Sequence, residues 1–363
     1  MEFLTELAMF VAQAITIVVL ALLLVMGVAA LSQRQRGGER EGHIEVTRLN
    51  HRAEQIGDTL GHALEDAQAW KATVRARRKA EKVKAKARKK ALKAEARKAS
   101  SDSEERKPGS RERPAVFVLD FDGDLHASAT ENLREEISAI LPQVREGDEV
   151  LLRLESPGGV VHGYGLAASQ LRRIRDAGVP LTVCVDKVAA SGGYMMACVA
   201  ERIVSAPFAM IGSIGVLAQL PNFHRLLKKN SIDFELLTAG EYKRTLTLFG
   251  ENTDKGREKF IEELEDTHAL FKQFVADNRP SLDIDRVATG EVWFGQRAVD
   301  LGLVDEIATS DALIQAGLAD KDIFEVHFVR KRSWQEKLGF AAEAALERGL
   351  LKVWQQSVSR RFH

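Results

Sequence analysis

Across residues 115–205, short apolar runs alternate with stretches of helical spacing, and this alternation leaves few folds open to the chain. The strand-like runs are 115–121, 149–154, 181–185 and 202–205, and helical spacing occupies 129–141, 164–176 and 192–200. Strands of this length separated by helices build βαβ units around a largely parallel sheet covered on both faces. A long charged helix is expected over 258–278, a short one over 295–300, and a strand over 324–329 followed by a mixed helix from Trp334. The predicted class is α/β with a parallel-sheet core.

The segment before that core is of a different kind. Positions 8–31 carry no charge, and Gln13 and Thr16 are their only polar side chains. About 20 apolar residues suffice to cross the hydrocarbon core of a bilayer. Glu2 and Glu6, not Lys or Arg, precede the run, and it outlasts a signal-peptide apolar region, so an uncleaved anchor is expected over 1–33. The formal net charge of zero averages unlike parts: residues 71–98 hold fourteen Lys or Arg against Glu81 and Glu95, and the remainder is correspondingly acidic. This basic stretch favours helix but offers no apolar stripe to bury, which reads as a solvated spacer. Trp70 is the only aromatic nearby and no recognition motif accompanies the charge, so no nucleic-acid partner is expected. Residues 100–114 read as a linker. The predicted organisation is anchor 1–33, spacer and linker 34–113, folded domain 114–315 and a strand-and-helix extension 316–363. Two cysteines, Cys184 and Cys198, make neither a disulfide framework nor a metal cluster.

Chemistry concentrates in three places. Ser191, in Ala189-Ala190-Ser191-Gly192-Gly193-Tyr194, follows an apolar strand and opens a helical run. A serine at such a turn can point its hydroxyl outward beside unpaired N–H groups, although an ordinary helix cap has the same position. Gly158 and Gly159 follow another strand, in Glu155-Ser156-Pro157-Gly158-Gly159, and can bring backbone donors close to a carbonyl oxygen. Lys243, in Gly240-Glu241-Tyr242-Lys243-Arg244, is a candidate base. An unperturbed lysine titrates near ~10.4, so such a base needs an apolar site or a cationic neighbour. Leu246, Leu248, Phe249 and Arg244 are at hand, although on local context alone a surface lysine is the favoured reading. Ser213, in Ile211-Gly212-Ser213-Ile214-Gly215, is flanked by apolar residues and would need a partner if buried. Nucleophile, base and oxyanion donors together are the minimum kit for amide hydrolysis.

Two other patterns are weaker. Gly163-Tyr164-Gly165-Leu166-Ala167-Ala168, with Asp186 further on, imitates a dinucleotide fingerprint, but its glycines do not follow the strand directly. A Ser-His-Asp triad has His162, His224 and His268 available, and no local pattern selects one of them.

Taken jointly, the four motifs around Gly158, Ser191, Ser213 and Lys243 resemble the SppA/SohB family of membrane serine proteases (protease IV-like), and most closely its SohB branch. The likeness runs over 115–309, with an anchor and basic spacer typical of that branch. The resemblance implies a crotonase-like, ClpP-related fold and a Ser–Lys dyad, with Ser191 as nucleophile and Lys243 as general base. It implies Ser213 as the residue that orients the lysine, and Gly158, Gly159 and Gly192 as lining the oxyanion hole. The implied substrates are membrane-derived or signal-peptide-like polypeptides, cleaved without metal or cofactor. The implied partners are a peptide or membrane protein, the lipid around the anchor, and further copies of the chain in a homo-oligomer. It also implies an inner-membrane, single-pass protein with its catalytic domain on the periplasmic side, whereas Arg34, Arg36 and Arg40 after the anchor favour the cytoplasm. The competing expectation is a non-enzymatic membrane scaffold whose crotonase-like core only oligomerises. Acyl-CoA chemistry on the same fold lacks a sequence signal.

Overall fold

The computed structural model describes residues 42–64, scattered positions between 74 and 90, residue 111 and residues 113–330. The expected anchor, most of the basic spacer and the helix expected from Trp334 lie outside the described residues. Among the described residues no helix is long and apolar enough to cross a membrane.

The first half of the chain supplies β1 (Gly42–Arg48), α1 (Leu49–Leu64), β2 (Ala115–Asp122), α2 (Thr130–Ile140), β3 (Glu149–Glu155), α3 (Val161–Asp176), β4 (Leu181–Val185) and β5 (Val188–Ala190). Then come α4 (Gly192–Ala197), β6 (Arg202–Ser205), β7 (Met210–Gly212), α5 (His224–Lys229), α6 (Asp254–Asn278) and α7 (Ile284–Val287). The last elements are β8 (Val292–Phe294), α8 (Gly295–Asp300), β9 (Glu306–Ile307), α9 (Ser310–Gly317) and β10 (Asp322–Arg330). Seven strands form the main sheet in the order β1-β10-β2-β3-β4-β6-β9, and β5-β7-β8 form a second, smaller one. From β10 through β9 every pairing is parallel.

The alternation read from the sequence is the βαβ winding of this sheet. On β2, Ala115, Phe117, Leu119 and Phe121 face one layer of helices while Val116 and Val118 face the other. α2 turns Leu133, Ile137 and Ile140 onto the first face, and α3 adds Ala167, Ala168, Leu171 and Ile174. Leu119, Leu133, Leu152 and Leu171 are each almost wholly buried, a contribution of ~2 kcal/mol apiece by area. The second face is thinner: Val118, Leu151, Cys184 and Val204 pack under Leu313 and Ile314 of α9 and under Leu49.

Two boundaries differ from the sequence reading. The sheet takes in β1 from before the linker, so folded structure does not begin at 114, and residues 44–329 form one compact unit. Asn50 fastens the β1–α1 corner by donating to the Lys321 carbonyl at 2.9 Å and accepting from the Ile323 N–H at 2.8 Å. At the other end, β10 lies between β1 and β2 and is part of the sheet, not an extension beyond 315. Its N-terminal half pairs with β2 as far as Glu325. Beyond that point the Phe328 N–H is taken by Glu136 Oε1 of α2 at 2.8 Å, while Glu136 Oε2 has no hydrogen-bond partner. Burial holds the Glu136 carboxyl above the usual glutamate range.

Candidate active site

The strand ends bring three serines together. Past the end of β3, Ser156 bridges in parallel to Ala189 of β5, donating its N–H to the Val188 carbonyl and accepting from the Ala190 N–H. β5 in turn pairs in parallel with β7, Ala190 opposite Gly212. Ser191 and Ser213 therefore leave the carboxyl ends of adjacent strands, and the Ser191 N–H bonds the Gly212 carbonyl at 2.8 Å. Crevices outside the carboxyl ends of parallel strands are where open α/β sheets bind ligands.

Ser191 holds φ 52° and ψ −116°, a conformation that an L-residue with a Cβ rarely adopts. Such strain costs about 1–3 kcal/mol and persists only where the surroundings enforce it. The turn passes at once from β5 into α4, whose residues are all buried. Gly192 is required at the turn by close approach, since a Cβ there would fall 2.4 Å from Cγ of Tyr164. Gly158 combines φ +90° with the Ala190 carbonyl 2.7 Å from where a Cβ would stand. At Gly158 a side chain would displace backbone, and at Gly192 it would displace the Tyr164 ring.

Ser191, Ser213, Gly158, Gly159 and Gly192 all line one cleft of about 560 Å³. Leu125, Val160, Met195, Val216 and Phe271 make most of its wall apolar. The Gly158 N–H is already committed to Ser156 Oγ at 3.1 Å. The Gly159 and Gly192 N–H groups make no hydrogen bond among the described residues. A carbonyl laid against Ser191 can thus meet a hydroxyl on one side and free amide donors on the other. Lys243 is elsewhere: it is exposed, on the long loop between β7 and α6, and does not line the cleft. That loop is almost wholly exposed over 217–244, and it carries Leu217 at 78% and Leu237 at 91% exposure.

The sequence reading quoted Ser156 and Tyr164 within motifs but gave neither a part in the site. A serine directly between a buried strand and a Pro-Gly-Gly turn was the available signal, because its hydroxyl had to find a buried partner. Residues of the two weaker patterns have the following surroundings. Asp186 accepts from the Ser310 N–H at 2.9 Å and from Ser310 Oγ at 2.5 Å, fastening the start of α9. His162 is exposed, and His268 Nε2 lies 3.3 Å from the Ile214 carbonyl. Among the described residues, Asp120, Glu325 and His327 are close enough together to hold a metal ion, but Arg153 already pairs with both carboxylates. Cys184 and Cys198 are both free and buried, and burial pushes each thiol up to about 12.

Comparison with known proteins identifies the family. Residues 2–171 match the family description "Peptidase family S49 N-terminal" and residues 173–323 match "Peptidase family S49". The chain belongs to peptidase family S49, and it is a peptidase. It is 53% identical over 344 residues to the probable protease SohB of Haemophilus influenzae, covering 94% of each chain. It is 56% identical over 239 residues to the probable protease SohB of Buchnera aphidicola from Acyrthosiphon pisum, covering 66% of this chain and 71% of the relative. A more distant match is Protease 4 of H. influenzae, 28% identical over 180 residues, 48% of this chain and 29% of that protein.

Proposed function

We propose that this peptidase is a membrane-anchored serine endopeptidase in which Ser191 attacks the scissile carbonyl and Lys243 is the general base. The observation that carries the reading is the strained Ser191 turn, whose residue faces an apolar cleft beside two unpaired N–H groups. Ser191 Oγ adds to the carbonyl carbon as its proton passes to the lysine amine. The carbonyl electron pair moves onto oxygen, where the Gly159 and Gly192 N–H groups receive it. Collapse expels the leaving-group amine, which receives the proton from the lysine ammonium, and water repeats the sequence on the acyl-enzyme. Ser213, beside Ser191 on the neighbouring strand end, orients the amine. The mostly parallel main sheet, with a smaller mixed sheet beside it, supports the crotonase-like assignment. The apolar walls suit an extended polypeptide with small or apolar side chains, such as a membrane-derived or signal-peptide-like segment.

The exposed position of Lys243 supports a site completed by a second copy of the chain. Leu217, Leu220, Leu226, Ile232, Leu237 and Phe249 of the same segment, which includes α5, are exposed apolar residues that a neighbouring copy could cover. Docking that loop over a neighbour's cleft would strip water from the amine and favour its neutral form.

Mixing separately purified Ser191→Ala and Lys243→Ala proteins tests this arrangement. Each alone should be inactive on a peptide substrate, and an equal mixture should regain about a quarter of parental activity if subunits exchange freely. Inactivity of the mixture, in assemblies shown to exchange subunits, would rule out the shared site. Full activity of either single variant would overturn the dyad.

A further inference from the structure

We propose that Ser156 and Tyr164 are positioning residues that aim both oxyanion donors, Gly159 and Gly192, at the cleft. The proposal rests on the reading of Ser191 as nucleophile.

Both side chains are fully buried, so their hydroxyls have to be satisfied internally. Ser156 Oγ accepts the Gly158 N–H at 3.1 Å and lies 2.6 Å from Tyr164 Oη. Tyr164 donates its one proton to the Asp124 carbonyl at 2.8 Å. The Ser156 proton therefore has a single direction left, toward Tyr164 Oη. The result is an oriented chain: Gly158 N–H to Ser156, Ser156 to Tyr164, Tyr164 to Asp124. Each hydroxyl gives once and receives at least once, and reversing either one would leave a buried donor without an acceptor. Burial raises the Tyr164 pKa, which keeps the phenol protonated as the chain requires.

This chain acts on the donors from two sides. By drawing the Gly158 N–H inward it fixes the Pro157–Gly158 peptide, one link ahead of the peptide that carries the Gly159 N–H, which is left unpaired at the cleft wall. By its ring, Tyr164 supports Gly192 from below, in the space where a Cβ would stand 2.4 Å away. The backbone of Ser156 joins the two halves, bonded on both its N–H and its carbonyl to β5, the strand that ends one residue before Ser191. Gly123 closes the node against water: a Cβ there would lie 2.3 Å from Ser156 Oγ and 2.5 Å from Tyr164 Oη. An oxyanion hole works through donors fixed before charge develops, so loosening this chain should cost transition-state binding and spare ground-state binding.

The deciding variants are Tyr164→Phe, which keeps the ring under Gly192, and Ser156→Ala, both in the full-length assembled protein. Two readouts are taken: kcat and KM on a peptide, and affinity for a peptide aldehyde beside the matching peptide alcohol. Ser191 Oγ adds to the aldehyde carbon while its proton passes to the base and the carbonyl pair moves onto oxygen, so the adduct presents an oxyanion and the alcohol does not. The expected result is a kcat lower by about 10- to 100-fold, KM within twofold, and aldehyde affinity falling with kcat while alcohol affinity holds. The double variant should lose no more than the worse single one, because both break the same chain. An unchanged kcat in Tyr164→Phe, or a loss confined to KM, overturns the proposal while leaving Ser191 as nucleophile. Ser191→Ala serves as the separate control: if it still cleaves peptide, the underlying reading falls instead.

Discussion

A Cβ on Gly159 would come within 2.2 Å of the Leu125 carbonyl oxygen, which also accepts the Val160 N–H at 2.8 Å. Gly159→Ala should therefore shift the turn and cut kcat by about 100-fold, the scale of losing one oxyanion donor. The contrasting case is Gly165, inside α3, where a Cβ would meet nothing within 4 Å. Gly165→Ala should leave kcat unchanged and stabilise the fold by about 0.5–1 kcal/mol, read as a higher melting temperature. Their tertiary neighbours separate the two glycines. For the same reason Ser191, Ser213 and Gly158 were legible as a group, since each sits in a short motif just beyond an apolar strand. The roles of Ser156 and Tyr164 were not, because their partners come from Asp124 and from each other, across a helix and a loop.

At the scale of elements, Glu136 is the residue out of keeping with its helix. It occupies the buried face of α2 among Leu133, Ile137 and Ile140 because the Phe328 N–H needs an acceptor where β10 parts from β2. Burial is the largest influence on its carboxyl and raises the pKa, against the Phe328 N–H and His327. A carboxyl whose folded pKa exceeds its unfolded one destabilises the fold once ionised, and the penalty is complete above the raised value. Glu136→Gln keeps the accepting oxygen and removes the charge. It should melt above the parent at pH 8, the gap closing as pH falls toward ~4.3, the unfolded glutamate value. A constant gap across that range would exclude ionisation as the cause. The strand that sequence reading missed, β1, and the one it read but left outside the core domain, β10, lie on this same side of the sheet. β1 offers only Ile44 and Val46 as apolar residues and is largely exposed, so no periodicity marks it. The position of β10 between β1 and β2 depends on pairing between residues some two hundred positions apart, which no local pattern carries.

For the whole molecule, the decisive feature is the apolar loop over 217–249, which one copy of the chain leaves uncovered. If a second copy covers it and lends Lys243, specific activity should fall on dilution, in step with dissociation followed by light scattering. Activity independent of concentration while the particle shrinks to a monomer would exclude the shared site. The α/β winding and the peptidase family were readable because they rest on strand runs and motifs. The separation of Lys243 from the cleft was not, because a loop of this length can be carried anywhere on the surface.

Cys184 and Cys198 lie in the core with their thiols kept protonated, and they are the only two cysteines in the sequence. Such a protein asks nothing of an oxidant or a reductant while it folds, so the same catalytic body can mature in either redox climate. It follows that a cysteine introduced on its surface would react alone with a maleimide, giving a clean handle for mapping which face meets a neighbour.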